Sequence, residues 1–353
     1  MSIRFSSKRM PIGAEIGGRR LNAIQLGRVS GGFGVEAATS VKRSAWDTPL
    51  TAEEVARFAG VLERQGFRGR DVVLALPTPR LMSALLELPP ADSGAPLDLL
   101  SRSELASAHQ CDAAAVESAY WQLPPPARPR EGTPVMAVGC LQEDAGALVD
   151  VFRDAGLNVL AIDVQAWAVS RACAPILSSE AGLAAALNIE WGSASLVVIL
   201  DEIVVYERVL ADTGLSRLHG TLVDELDLDA DVTDYVLHEV GLQRDFDADE
   251  IPAELARAAR ECVLAYIGAL APEVRVSLGY AAQEYGKGSV DRLVIVGEGA
   301  SVPGLADQLS GEFGVRARVI APTQLADCPE RLRPTCDAPE LTAAFGLSLY
   351  RRR

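Results

Sequence analysis

Two stretches of this chain, about 175 residues apart, carry the same short pattern. PIGAEIGGRRLNAIQL (11–26) is a strand-like run that reaches a glutamate, one apolar residue and glycine, and then a second strand-like run. ALNIEWGSASLVVIL (186–200) repeats it. Each is followed by a third short β-branched run, GVEAATSV (34–41) and IVVYERVL (203–210), so each reads as an antiparallel meander. A meander repeated at that distance predicts a duplicated molecule of two lobes, and 353 residues are enough to build both.

The segments between the repeats fill in the plan. Thr51-Ala-Glu-Glu54 is a capping box that opens a helix to about residue 65, with Val55, Phe58, Val61 and Leu62 at helical spacing. DVVLALP (71–77), RLMSALLELP (80–89) and VMAVGC (135–140) read as strands, GLNVLAIDV (156–164) as a buried strand, and 143–155 and 166–177 as helices. Residues 90–135 differ in texture: Pro-, Asp- and Gly-rich connections surround a helix near 98–110 and the strand VESAYWQL (116–123). With the strand and helix that follow, residues 90–155 are expected to form an inserted subdomain of a first lobe made of 10–89, 156–180 and 338–353. The second lobe is expected from 185–212 and 288–337, with a helical subdomain over 213–287 that includes a long helix at 252–284.

Charge and composition exclude several functions. The net charge is −15, and since residues 1–45 hold eight bases against two acids, the remainder carries −21. Such a surface repels a phosphate backbone, so nucleic acid is not an expected partner. Six cysteines without a C-x-x-C pair and three histidines offer no zinc or haem spacing, and a reduced, cytoplasmic setting is expected. The opening MSIRFSSKRMPIG lacks the apolar run of a secretory signal, and no uninterrupted apolar stretch approaches the roughly 20 residues that span a bilayer. Membrane association is therefore expected only through a partner. Four motif matches fail on particular residues. GKG (286–288) has glycine where a P-loop needs Ser or Thr, and LDLDADVTD has Val232 at the turn glycine of a calcium loop. GEGASV has Val302 at the third glycine of a dinucleotide fingerprint, and no G-x-S-x-G is present.

Three glycine turns remain as a set: Glu15-Ile-Gly17-Gly18-Arg19, Glu190-Trp-Gly192-Ser193 and Gly297-Glu298-Gly299-Ala300. Turns without Cβ atoms let a phosphate approach backbone N–H groups, and the third sits between a strand and a helix.

In this order and at these separations they resemble the actin-like ATPase superfamily (actin, Hsp70 and sugar kinases), and within it the PilM type IV pilus assembly proteins. The resemblance runs through ALPTPRLMSALLELP, GLNVLAIDVQAWAVSRA, VIVGEGASVPGLADQLSGEFGVRARVIAP and the closing LTAAFGLSLYR, and so covers nearly the whole chain. It implies a duplicated two-lobed α/β fold of the actin-like, ribonuclease H-like kind. It also implies that ATP and Mg²⁺ sit between the lobes, with Glu15 and Glu190 as metal-binding or catalytic groups. Gly17, Gly18, Arg19, Gly192, Ser193, Gly297, Glu298, Gly299 and Ala300 would then line the nucleotide. It further implies a cytoplasmic scaffold that binds the tail of a PilN-like inner-membrane protein at the inserted subdomain, with other pilus assembly proteins nearby and Tyr120 and Trp121 as candidate anchors.

The departures are specific. The family usually has Asp at both positions held here by Glu15 and Glu190, and the extra methylene moves the carboxylate roughly 1–1.5 Å further into the crevice. Arg19 and Arg20 replace small hydroxyl residues, Glu298 interrupts a run of glycines, and Leu237 stands where relatives often carry Lys. They imply weak or no ATP hydrolysis. A working ATPase, a small-molecule kinase, a filament former, and a type II secretion or competence scaffold stand as alternative readings of the same fold.

Overall fold

The computed structural model describes residues 10–46, 48–128, 132–178, 182–243 and 251–351. The first meander is β1 (Ile12–Ile16), β2 (Arg20–Val29) and β3 (Gly32–Lys42), joined by β4 (Asp71–Ala75) and β8 (Asn158–Asp163) in a sheet of order β3-β2-β1-β4-β8. The second is β9 (Leu183–Ile189), β10 (Ala194–Leu200) and β11 (Ile203–Leu210), joined by β12 (Val290–Val296) and β13 (Ala317–Val319) in the order β11-β10-β9-β12-β13. Both sheets pair their meanders antiparallel and their last three strands parallel. The duplication read from the two glycine-turn patterns is thus a duplication of sheet topology.

A third, antiparallel sheet has the order β5-β7-β6, from β5 (Met82–Leu88), β6 (Val116–Gln122) and β7 (Thr133–Leu141). The insertion expected from residue 90 therefore draws in β5, because β5 pairs along its full length with β7. Helices α1 (Ala52–Arg64), α2 (Leu97–Ala108) and α3 (Gln142–Asp154) accompany this half, and α4 (Gln165–Leu177) leads into the second. There follow α5 (Leu215–Leu226), α6 (Ala230–Glu239), α7 (Ala253–Glu284), α8 (Leu305–Phe313), the single turn α9 (Arg333–Cys336) and α10 (Thr342–Ser348).

Local sequence explains the elements. Thr51 accepts from the Glu54 amide and the Glu54 side chain returns to the Thr51 amide, so α1 begins at its capping box and buries Val55, Phe58 and Leu62. Strands β9 and β10 are buried at every residue, which their continuous apolar sequences require of strands covered on both faces. β8 differs from the buried strand expected at 156–164. It lies at the sheet edge, and Leu160, the extra residue where its pairing with β4 shifts register, is half exposed. α7 is long and apolar enough, by length and composition, to cross a membrane, but half of its most apolar window is buried within the second lobe.

α10 returns to the first lobe and lies against β1, β2 and α4 at distances only glycines allow. A Cβ on Gly346 would sit 1.8 Å from the Ala168 carbonyl oxygen, and one on Gly13 would sit 2.0 Å from that of Ala344. Gly268, on the exposed side of α7, meets nothing within 4 Å. Gly346→Ala is therefore expected to destabilise the fold by about 1–3 kcal/mol through overpacking. Gly268→Ala is expected to stabilise it by about 0.5–1 kcal/mol through helix propensity. Urea unfolding of the two variants beside the parent checks the opposite signs.

Candidate functional site

The glycine turns meet between the lobes. The first closes β1 into β2 with the Gly17 amide donating to the Arg20 carbonyl at 2.9 Å, and the second closes β9 into β10 with the Glu190 amide donating to Ser193 at 3.0 Å. The glutamates that lead into them converge on one side chain. Gln165, the first residue of α4, donates from Nε2 to Glu15 at 2.8 Å and also to Glu190. Asn22 donates to the other Glu15 oxygen at 3.0 Å. Burial, followed by the adjacent Glu190 charge, holds the Glu15 carboxyl well above the ordinary carboxylate range.

Arg19 lies at the centre of the crevice. It is buried to 4% exposure and is ion-paired to Asp234 of α6 and, at 3.3 Å, to Glu298 of the third turn. Its guanidinium carbon lies 4.6 Å from the ring centres of both Trp46 and Trp191. The two indoles meet edge to face at 5.0 Å, and His219 of α5 stacks edgewise on both while its Nε2 lies 3.3 Å from Asp234. Burial pushes Asp234 up, but hydrogen bonds from His219 and Arg19 outweigh it and hold the carboxyl well below its usual range. At Glu298 the balance is reversed: burial outweighs Arg19 and Arg20 and pushes the carboxyl up to about 7. Asp234 is therefore the main counter-charge of Arg19, and Glu298 is its weaker neighbour.

Two glycines of the third turn serve packing. Cβ atoms on Gly297 and Gly299 would meet Asn188 Oδ1 and Ile189 Cγ2 at 2.4 and 2.3 Å, so those glycines let the third turn press on β9. Gly214, just before α5, presses in the same way on Trp191 and Gly192, and the first α5 amides donate to the Glu190 and Trp191 carbonyls at 2.8 and 2.9 Å. Ala300 is buried beside them. Among the described residues no group of three His, Cys, Asp or Glu side chains is placed to hold a metal ion. Side chains and turns packed in this way do not fit a magnesium nucleotide.

The structure thus brings Glu15, Arg19, Glu190 and Glu298 together as side chains, and Gly17, Gly18, Gly192, Ser193, Gly297, Gly299 and Ala300 as the turns that carry them. Reasoning from sequence missed Gln165, Trp46, Asn22 and His219. Asp234 enters the reading of the sequence only within LDLDADVTD, which folds as the last residue of α5, a short connection and the first turn of α6. Leu237, singled out as a departure from the resemblance, is buried in the second lobe.

Tyr120 and Trp121 lie elsewhere, at the edge strand β6. With Ile162 and Asp163 of the edge strand β8 and Trp167 and Arg171 of α4, they line a cavity of about 1480 Å³. Trp121 donates from Nε1 to the Val204 carbonyl of β11 at 2.7 Å and meets Trp167 edge to face. Arg171 pairs with Asp163.

Two similar sheets facing across turns define a protein of the actin-like fold. The chain is 12% identical to the ethanolamine utilization protein EutJ from Carboxydothermus hydrogenoformans, with a TM-score of 0.57 over 97% of this chain and 89% of that one. It is 11% identical to MreB 5 of Spiroplasma citri bound to AMPPNP, with a TM-score of 0.56 over 98% and 96%. A structure of the PilM-PilN type IV pilus biogenesis complex aligns with a TM-score of 0.76 at 21% identity, covering 96% of this chain and 98% of that one. The family described as type IV pilus assembly protein PilM matches residues 13–352, and the chain belongs to it. No curated protein matches in sequence.

The raised carboxyl of Glu15 sets a pH dependence. A group whose folded pKa lies above its ordinary 4.5 contributes stability at low pH and loses it as pH rises through the folded value. Glu190→Gln removes the neighbouring charge and supplies an amide to Glu15. The variant is expected to lose less thermal stability than the parent between about pH 5 and 8. Melting points across that range check the prediction, and parallel curves contradict it.

Proposed function

We propose that this chain is an assembly adaptor of type IV pilus machinery that holds an extended segment of a PilN-like inner-membrane protein in the cavity between β6 and β8. The supporting observation is that both strands are sheet edges and both line that cavity. An edge strand offers unpaired backbone N–H and C=O groups, and an extended peptide satisfies them by adding a strand. Tyr120, Trp121 and Trp167 give such a peptide aromatic walls, and Arg171, Arg351, Asp163, Asp201 and Glu202 give charges at the rim. The likeness to a PilM-PilN complex supports the choice of partner, and that partner would hold the chain at the inner face of the membrane.

The same helix serves the crevice and the cavity. α4 begins with Gln165 between Glu15 and Glu190, and continues with Trp167, Ser170, Arg171 and Ala174 in the cavity wall. A peptide that shifts α4 therefore acts on the contacts between the lobes without touching them.

Titration of a labelled peptide from the cytoplasmic tail of a PilN-like protein, followed by fluorescence anisotropy, tests the reading. Tyr120→Ala is expected to weaken binding about tenfold or more, as loss of an aromatic anchor does. Tyr280→Ala, at a separate cavity beside α7, is expected to leave it unchanged. Equal affinities for the parent and Tyr120→Ala overturn the assignment of the cavity.

A further inference from the structure

We infer that the crevice between the lobes is closed by an internal clasp centred on Arg19, and that this clasp takes the bridging place a nucleoside triphosphate would need. The groups involved come from both halves of the chain. Arg19 and Trp46 belong to the β1–β2 turn and the segment after β3, and Trp191, His219, Asp234 and Glu298 to the second lobe. Outside this cluster, Lys42 reaches Asp231 at 3.5 Å and lies over the Trp46 ring, extending the closure to the solvent side.

The chemistry of the crevice is that of a site already filled. Arg19 is the obvious cation for a phosphate at the first turn, but Asp234 and Glu298 engage its two terminal nitrogens and aromatic rings lie near its carbon. Four carboxyl groups, those of Glu15, Glu190, Asp234 and Glu298, surround the place where a polyanion would lie. Against them stand two buried donors without a partner, Arg19 Nε and Asn188 Nδ2. A triphosphate entering here would have to break the Arg19–Asp234 pair and face acids that Arg19 no longer offsets. Gly297, Gly299 and Gly214 have neighbouring chain where a Cβ would stand, so on that side the segments that carry them are already packed.

Two measurements on the full chain test the clasp. The first is thermal unfolding with and without Mg-ATP in excess. A ligand at about a hundred times its Kd raises the midpoint of a chain this size by roughly 3–4 °C. No shift is expected, and a saturable rise overturns the inference. The second is tryptophan emission of Arg19→Lys, which keeps the charge but loses the planar fork that pairs and stacks. A red shift and a lower melting point are expected as Trp46 and Trp191 gain water, and emission identical to the parent overturns the clasp. Binding of the tail peptide to the parent chain is read at the cavity by anisotropy, whereas the clasp is read by the Mg-ATP melting shift and by tryptophan emission without peptide, so failure of the adaptor assignment and failure of the clasp are distinguishable.

Discussion

One guanidinium, taken out of water between two lobes, organises this molecule. Burying a lone charge costs several kcal/mol, so Arg19 is tolerable only where partners converge on it. They come from elements far apart in sequence: Asp234 lies 215 residues away and Glu298 lies 279. Each aromatic face adds about 0.5–2 kcal/mol when the cation is desolvated. The lobes must therefore hold one orientation for the pair to form, and the pair in turn holds that orientation.

A second layer lies beneath it. Glu15 and Glu190 end equivalent strands of the two sheets and bring two acids close together, a repulsive arrangement unless a proton or a donor intervenes. The Gln165 amide intervenes, and it does so from the first residue of α4. α4 also packs against α10, whose Gly346 permits the contact, and its later turns form one wall of the cavity beside β6 and β8. Crevice, closing helix and peptide-sized cavity are thereby connected through one rigid element.

Much of this was legible in the sequence, for a physical reason. Meanders and caps are local: the spacing of Glu15, Gly17, Glu190 and Gly192 predicts equivalent turns, and Thr51 and Glu54 predict where α1 begins. Sheet membership is not local. β5 reads as a strand from its own residues, but only its pairing with β7 places it in the third sheet rather than the first. β8 reads as buried because its residues are apolar, while its edge position follows from the strand order. Glu298 and Arg19 stand out as departures from a resemblance, yet nothing in their neighbourhood announces that they meet. Trp46 and Gln165 carry no signal at all, since a tryptophan in a loop and a glutamine opening a helix are ordinary residues until the lobes close on them.

Arg19 and Asp234 act as one unit across the lobes, and a double-mutant cycle measures that directly. Unfolding free energies of the parent, Arg19→Ala, Asp234→Ala and the double variant isolate the energy the pair shares. A coupling of roughly 1–3 kcal/mol is the result predicted for groups in direct contact. Effects that add to within about 0.5 kcal/mol, as for distant independent sites, would contradict it.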